Sequence, residues 1–121
     1  MKILYVDDEA INLLLFEKIF QHHFDVSTAI SGQDGLSILG SNTNIDLVIT
    51  DMRMPLMNGL EFIKEAIDQG YHHIPFCILT GFDLNKDIQE YMNKGLIRKY
   101  FQKPFDKSTI IDGVNDVIDN H

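Results

Sequence analysis

Short β-prone apolar runs alternate strictly with one-sided helical segments along this chain, five of each, and the alternation restricts its fold more than any single motif. The runs fall at Lys2–Val6, Asp25–Ala29, Leu47–Ile49 (stopping at Asp51), Pro75–Leu79 and Lys99–Gln102. After each, apolar residues recur at the helical period. Ile11, Leu14, Leu15 and Ile19 do so within Ala10–Phe20, and Leu36 and Leu39 follow the Ser31–Gly32 turn. Leu60, Ile63, Ala66 and Ile67 run up to Gly70, and Ile88, Tyr91 and Met92 lie within Leu84–Lys94, which Gly95 stops. Ile110, Ile111, Val114 and Ile118 lie within Asp106–Ile118, and Ser41–Asn44 reads as a polar loop. No linker, repeat or low-complexity segment interrupts the series, so residues 1–121 are expected to form one domain.

Strands and helices in strict alternation build a parallel sheet with right-handed crossovers and helices on both faces. Asp25–Ala29 is the least apolar strand and suits an edge. The first, third and fourth strands suit the middle. The expected fold is therefore α/β, a doubly wound (βα)5 three-layer sandwich with parallel strand order 2-1-3-4-5.

All carboxyl ends of such a sheet lie along one edge, where ligands of open α/β folds bind. The first strand delivers Asp7 and Asp8 there, the third Asp51, the fourth Thr80 and the fifth Lys103. Pro55 and Gly59 turn the chain sharply after Asp51. An aspartate at a turn is also a common cap, and on its own stretch Asp51 supports either reading. The convergence is more telling. At an effective dielectric of about 20, two like unit charges ~4 Å apart repel by about 4 kcal/mol. A divalent cation would relieve three carboxylates. Hard oxygen donors without nearby cysteine or histidine favour Mg2+ over zinc or copper. Thr80 offers a hydroxyl donor, Lys103 a point charge, and Gly81 room for close backbone approach. A carboxylate nucleophile can accept a phosphoryl group as an acyl phosphate.

Composition narrows the partners. A formal charge of −8 argues against nucleic acid, which needs clustered Lys and Arg. No apolar run approaches the ~20 residues of a membrane span, and Ile3–Val6 is too short for a signal segment. A single cysteine, Cys77, fits a reducing, cytoplasmic setting, and its apolar surroundings read as a buried, inert thiol. The adjacent pairs His22–His23 and His72–His73 cannot face together on a helix and read as ordinary surface histidines. Met52, Met54 and Met57 read as packing rather than ligands.

Four fragments, each ending an expected strand, resemble the receiver domain of two-component response regulators. They are Val6-Asp7-Asp8-Glu9, Asp51-Met52-Arg53-Met54-Pro55-Leu56-Met57-Asn58-Gly59, Leu79-Thr80-Gly81 and Lys103-Pro104-Phe105. The resemblance spans essentially the whole chain and implies a flavodoxin-like fold. It further implies that Asp51 takes the phosphoryl group. Asp8, Asp51 and the backbone carbonyl of Arg53 would bind Mg2+, helped by Asp7 often through water. Lys103 and Thr80 would hold phosphoryl oxygens, and Thr80 and Tyr100 would form the switch. The implied partners are a sensor histidine kinase or histidine phosphotransfer domain and an unidentified downstream protein. Any homodimer would use the segments Leu84–Lys94, Lys99–Gln102 and Asp106–Ile118. Such a domain assists its own phosphorylation and dephosphorylation rather than turning over a substrate. It stands alone or forms one module of a larger regulator or hybrid kinase.

The chain departs from the family in two places. Gly95-Leu96-Ile97-Arg98-Lys99 is one residue longer than usual and bulkier. Arg53 and Phe82 occupy variable positions, where bulk would obstruct the attacking water and slow dephosphorylation. Three other functions compete. A receiver-like interaction module that is never phosphorylated would not need every acid and the lysine in place. A flavodoxin-like cofactor binder would need a phosphate loop where Asp7-Asp8-Glu9 stands. A haloacid-type phosphatase usually carries a second aspartate where this chain has Arg53.

Overall fold

The computed structural model describes residues 1–41, 44–81 and 85–120. Among them, β1 (Lys2–Val6), β2 (Asp25–Ala29), β3 (Leu47–Asp51), β4 (Phe76–Thr80) and β5 (Lys99–Gln102) form one sheet. The sheet is parallel in the order β2-β1-β3-β4-β5. The helices are α1 (Ala10–Phe20), α2 (Gly32–Ser41), α3 (Gly59–Ala66), α4 (Lys86–Asn93) and α5 (Lys107–Asp119). Leu84, the expected start of the fourth helix, and the middle of the Ser41–Asn44 loop lie outside the described residues.

Strand pleating divides the core in two. Leu4, Val6, Val48, Phe76 and Ile78 face α2, α3 and α4, where they meet Leu36, Leu39, Phe62, Ile63, Ala66 and Ile88. Ile3, Tyr5, Leu47, Ile49, Cys77, Leu79 and Phe101 face α1 and α5, where they meet Phe16, Phe20, Ile110, Val114 and Val117. Side chains two apart on a strand share a face. Tyr5 therefore leads to Asp7, Ile49 to Asp51 and Phe101 to Lys103 on the α1/α5 side. Ile78 leads to Thr80 on the α4 side, where Tyr100 packs against the core. Tyr100 pairs with Ile78 in the sheet, and Gln102 with Thr80. Phe101 lies on the opposite face, over Gly113 of α5, where any Cβ would strike its ring.

The α1 helix faces the other way from the expected one. Ile11, Leu14 and Leu15 are about half exposed, at 58%, 49% and 49%, while Phe16 and Phe20 are buried. Ala10–Phe20 is apolar nearly all round, so periodicity alone left two stripes in competition. The aromatic stripe wins because it has partners of matching shape: Phe16 stacks on Tyr5 at 4.1 Å, and Phe20 lies 6.0 Å from Phe105. Only Ile19 of the expected stripe packs in part against the core.

The α3 helix starts at a full capping box. Asn58 accepts from the Glu61 N–H at 2.9 Å, and Glu61 Oε1 accepts from the Asn58 N–H at 3.0 Å. Beyond Ala66 the chain widens into a turn over Ile67–Tyr71, with Gly70 at φ 101°. Gly95, at φ 75°, follows the α4 cap, as expected of a left-handed helix stop.

Candidate functional site

Asp7 is wholly buried at the end of β1, where a carboxylate survives only if its oxygens are met. Its Oδ1 accepts the Glu9 N–H at 3.0 Å. Its Oδ2 accepts the Tyr5 hydroxyl at 2.7 Å and the Asn12 carboxamide at 3.2 Å. The start of α1 is thereby tied to the sheet edge. Asp8 follows in the loop, half-buried.

Asp51 closes β3 beside Leu79 of β4. The turn after it is tight: Gly59 N–H reaches the Met52 carbonyl at 2.8 Å, and a Cβ on Gly59 would land on the carbonyl oxygen of Asp51. The glycine that breaks the sequence pattern is thus what lets α3 begin directly behind the acid. Lys103 closes the site from β5. Its N–H donates to the Thr80 carbonyl at 2.7 Å, which seats the lysine beside the end of β4. Its Nζ lies 3.2 Å from Asp51 Oδ1 and 3.7 Å from Asp7 Oδ2.

Carboxylate oxygens of Asp7, Asp8 and Asp51 lie within 4.8 Å of one another. Three acids thus face one lysine, and the site carries excess negative charge. Burial raises the Asp51 carboxyl above its ordinary range; Lys103 opposes the rise and Asp7 adds to it. Burial and the bond to Asp7 drive the Tyr5 phenol far above its usual range, so it stays a donor at any ordinary pH. An all-oxygen, over-charged hollow suits a hard divalent cation, and Mg2+ fits it.

The expected residues gather as follows. Asp7, Asp8, Asp51 and Lys103 converge in the hollow. Thr80 is buried at the end of β4, and Tyr100 is half-buried one strand over on the same face. Arg53 is exposed on the loop two residues past Asp51, while Phe82 lies outside the described residues. Cys77 is buried in the sheet, with its thiol pushed up to about 12 by desolvation. Tyr5 and Asn12 were not anticipated. Strand parity points from Tyr5 to Asp7, and a polar tip in an otherwise aliphatic strand was the available signal. Asn12 lies in the first turn of α1, where its residue type alone says little.

Beside the hollow, a groove of about 420 Å³ runs between α1 and the β5–α5 loop, with Leu15, Ile19, Pro104 and Phe105 along it. Leu56, on the loop after Asp51, is fully exposed at φ 69°.

Residues 3–115 match the family model described as the response regulator receiver domain. The chain is 35% identical to the sporulation initiation phosphotransferase F of Bacillus subtilis, over 93% of this chain and 90% of that protein. It is 28% identical to a chemotaxis protein CheY homolog of Campylobacter jejuni, over 98% of this chain and 92% of that protein. Among solved structures, a response regulator receiver domain protein from Clostridium thermocellum superposes with a TM-score of 0.88 at 32% identity. That match covers 98% of this chain and 94% of the other.

Proposed function

The chain belongs to the response regulator receiver domain family, and on that premise we propose that it is a Mg2+-assisted phosphoacceptor of two-component signalling. The observation that carries this reading is the meeting of Asp7, Asp8 and Asp51 with Lys103 at one sheet edge. Asp51 is the nucleophile. One of its carboxylate oxygens attacks the phosphorus of a phosphohistidine. A P–O bond forms as the P–N bond breaks, and the bonding pair stays with the imidazole.

Asp8, Asp51 and the Arg53 carbonyl would hold Mg2+, with Asp7 assisting. Bound there, the cation offsets the charge shared by the acids and the phosphoryl oxygens. Lys103, already 3.2 Å from Asp51, stays with the oxygens as charge moves onto them. Thr80 donates its hydroxyl to the new phosphoryl group, and Tyr100 turns toward the space it leaves. The α4–β5–α5 face then differs between the two states and is what a downstream protein reads, or a second copy of the chain. The domain assists its own phosphorylation and dephosphorylation and has no separate substrate to turn over.

The donor is a sensor histidine kinase or a histidine phosphotransfer domain. Ile11, Leu14 and Leu15 leave an apolar surface on α1, and Leu15 also lines the groove that reaches Lys103 and Phe105. A donor protein must cover that flank to bring its histidine to Asp51, and burying those side chains gives it a foothold.

The test is incubation with Mg2+ and acetyl phosphate, followed by intact mass. The native chain gains one phosphoryl group, and Asp51→Asn gains none. A native chain that stays unmodified, while still folding, would instead support an interaction module that works without phosphorylation.

A further inference from the structure

Within β1 the neighbours of Tyr5 are Ile3, Leu4 and Val6, all aliphatic and buried. A phenylalanine would fill the same space and stack equally well on Phe16. Packing accounts for the ring, then, and leaves the hydroxyl unexplained. A buried hydroxyl is costly unless bonded, and the partner this one has is a carboxylate of the acidic hollow, at 2.7 Å. The ring is fixed for that contact by its stack on Phe16, with planes 12° apart.

A carboxylate has about four lone-pair sites. On Asp7 Oδ2, both are met by Tyr5 and Asn12. That oxygen is also the one facing Lys103, at 3.7 Å, beyond a hydrogen bond, whereas Asp51 Oδ1 has the ammonium at 3.2 Å. Two carboxylates compete for a single lysine, and the more deeply buried of them is already supplied with donors.

We propose that Tyr5 is a positioning residue of the phosphoacceptor site. Its hydroxyl, seconded by Asn12, saturates Asp7 Oδ2, leaves Lys103 to Asp51, and holds Asp7 ready for the cation. This inference rests on the phosphoacceptor reading above. Without the hydroxyl, Oδ2 has an open lone pair with an ammonium close by. Lys103 then swings to the better-buried acid. Asp51 loses its cationic partner, and Asp7 is drawn from the metal.

Tyr5→Phe keeps the ring and removes only the donor. Isothermal titration of the full chain with Mg2+ is expected to show about tenfold weaker binding, the range seen when a partner that orients a metal ligand is lost. Phosphorylation by acetyl phosphate at limiting Mg2+ is expected to slow in parallel. Asn12→Ala, on the helix surface, should weaken Mg2+ in the same direction by a smaller factor. A hydroxyl with a merely structural role would lower the thermal midpoint and leave Mg2+ affinity at the native value, which would overturn the inference. If Tyr5→Phe fails to fold, unchanged Mg2+ affinity in Asn12→Ala overturns it equally. A native chain that binds no Mg2+ sinks the phosphoacceptor reading and this inference with it. Native binding matched by Tyr5→Phe sinks the role of Tyr5 alone.

Discussion

Burial sets the Asp51 carboxyl above its ordinary range, against the pull of Lys103 and with a further push from Asp7. A carboxyl raised on folding binds its proton more tightly in the native state than in the unfolded one. Its contribution to stability is therefore complete below the unfolded value of 3.8 and is lost as pH rises through the raised native value. In chelator at neutral pH, the ionised acid is a burden on the fold. Asp51→Asn should then melt a few degrees higher than the native chain at pH 7, and the gap should close toward pH 4 in thermal scans. An Asp51→Asn variant that melts lower at pH 7 would show that the Lys103 pair outweighs burial. Asp51, Asp8 and Lys103 were legible in the sequence because each lies at or just past the end of a strand, and strand ends share an edge. The bond of Tyr5 to Asp7 follows strand parity and showed only as a polar tip in an aliphatic strand, whereas that of Asn12 depends on which way α1 rolls over β1.

That roll is decided at the level of the element. Ala10–Phe20 offers two apolar stripes, and only the shapes of Tyr5 and Phe105 select the aromatic one. Periodicity reads a stripe well when the opposite side is polar, as on α4, whose core-facing Ile88, Tyr91 and Met92 are those expected from spacing. It fails where a helix is greasy all round. The same ambiguity leaves Ile11, Leu14 and Leu15 in solvent. Leu14→Asp should fold normally and accept phosphoryl from acetyl phosphate at the native rate. Transfer from a phosphohistidine protein should fall about tenfold, the effect of losing one moderately strong contact in an interface. Equal losses with both donors would place the defect in the site itself.

Across the whole molecule, the parallel sheet, its strand order and the presence of helices on both faces follow from alternation and from the apolarity of each strand. What the pattern could not supply was the strength with which each helix is held. Among its described residues α4 buries only Ile88, whereas α5 buries Ile110, Gly113, Val114 and Val117. Its amides should exchange with solvent faster than those of α5. Beryllofluoride with Mg2+ should change α4 and β5 protection in the native chain by several-fold and leave Thr80→Ala almost unmoved. Full response in Thr80→Ala would mean that the signal bypasses the threonine. The sheet also separates two packing clusters, with α1 in one and α4 in the other. Substitutions on those two helices share no partner, so their effects should sum. If the proposed function holds, the side that would choose who writes the message and the side that would choose who reads it can be altered independently, each without retraining the other.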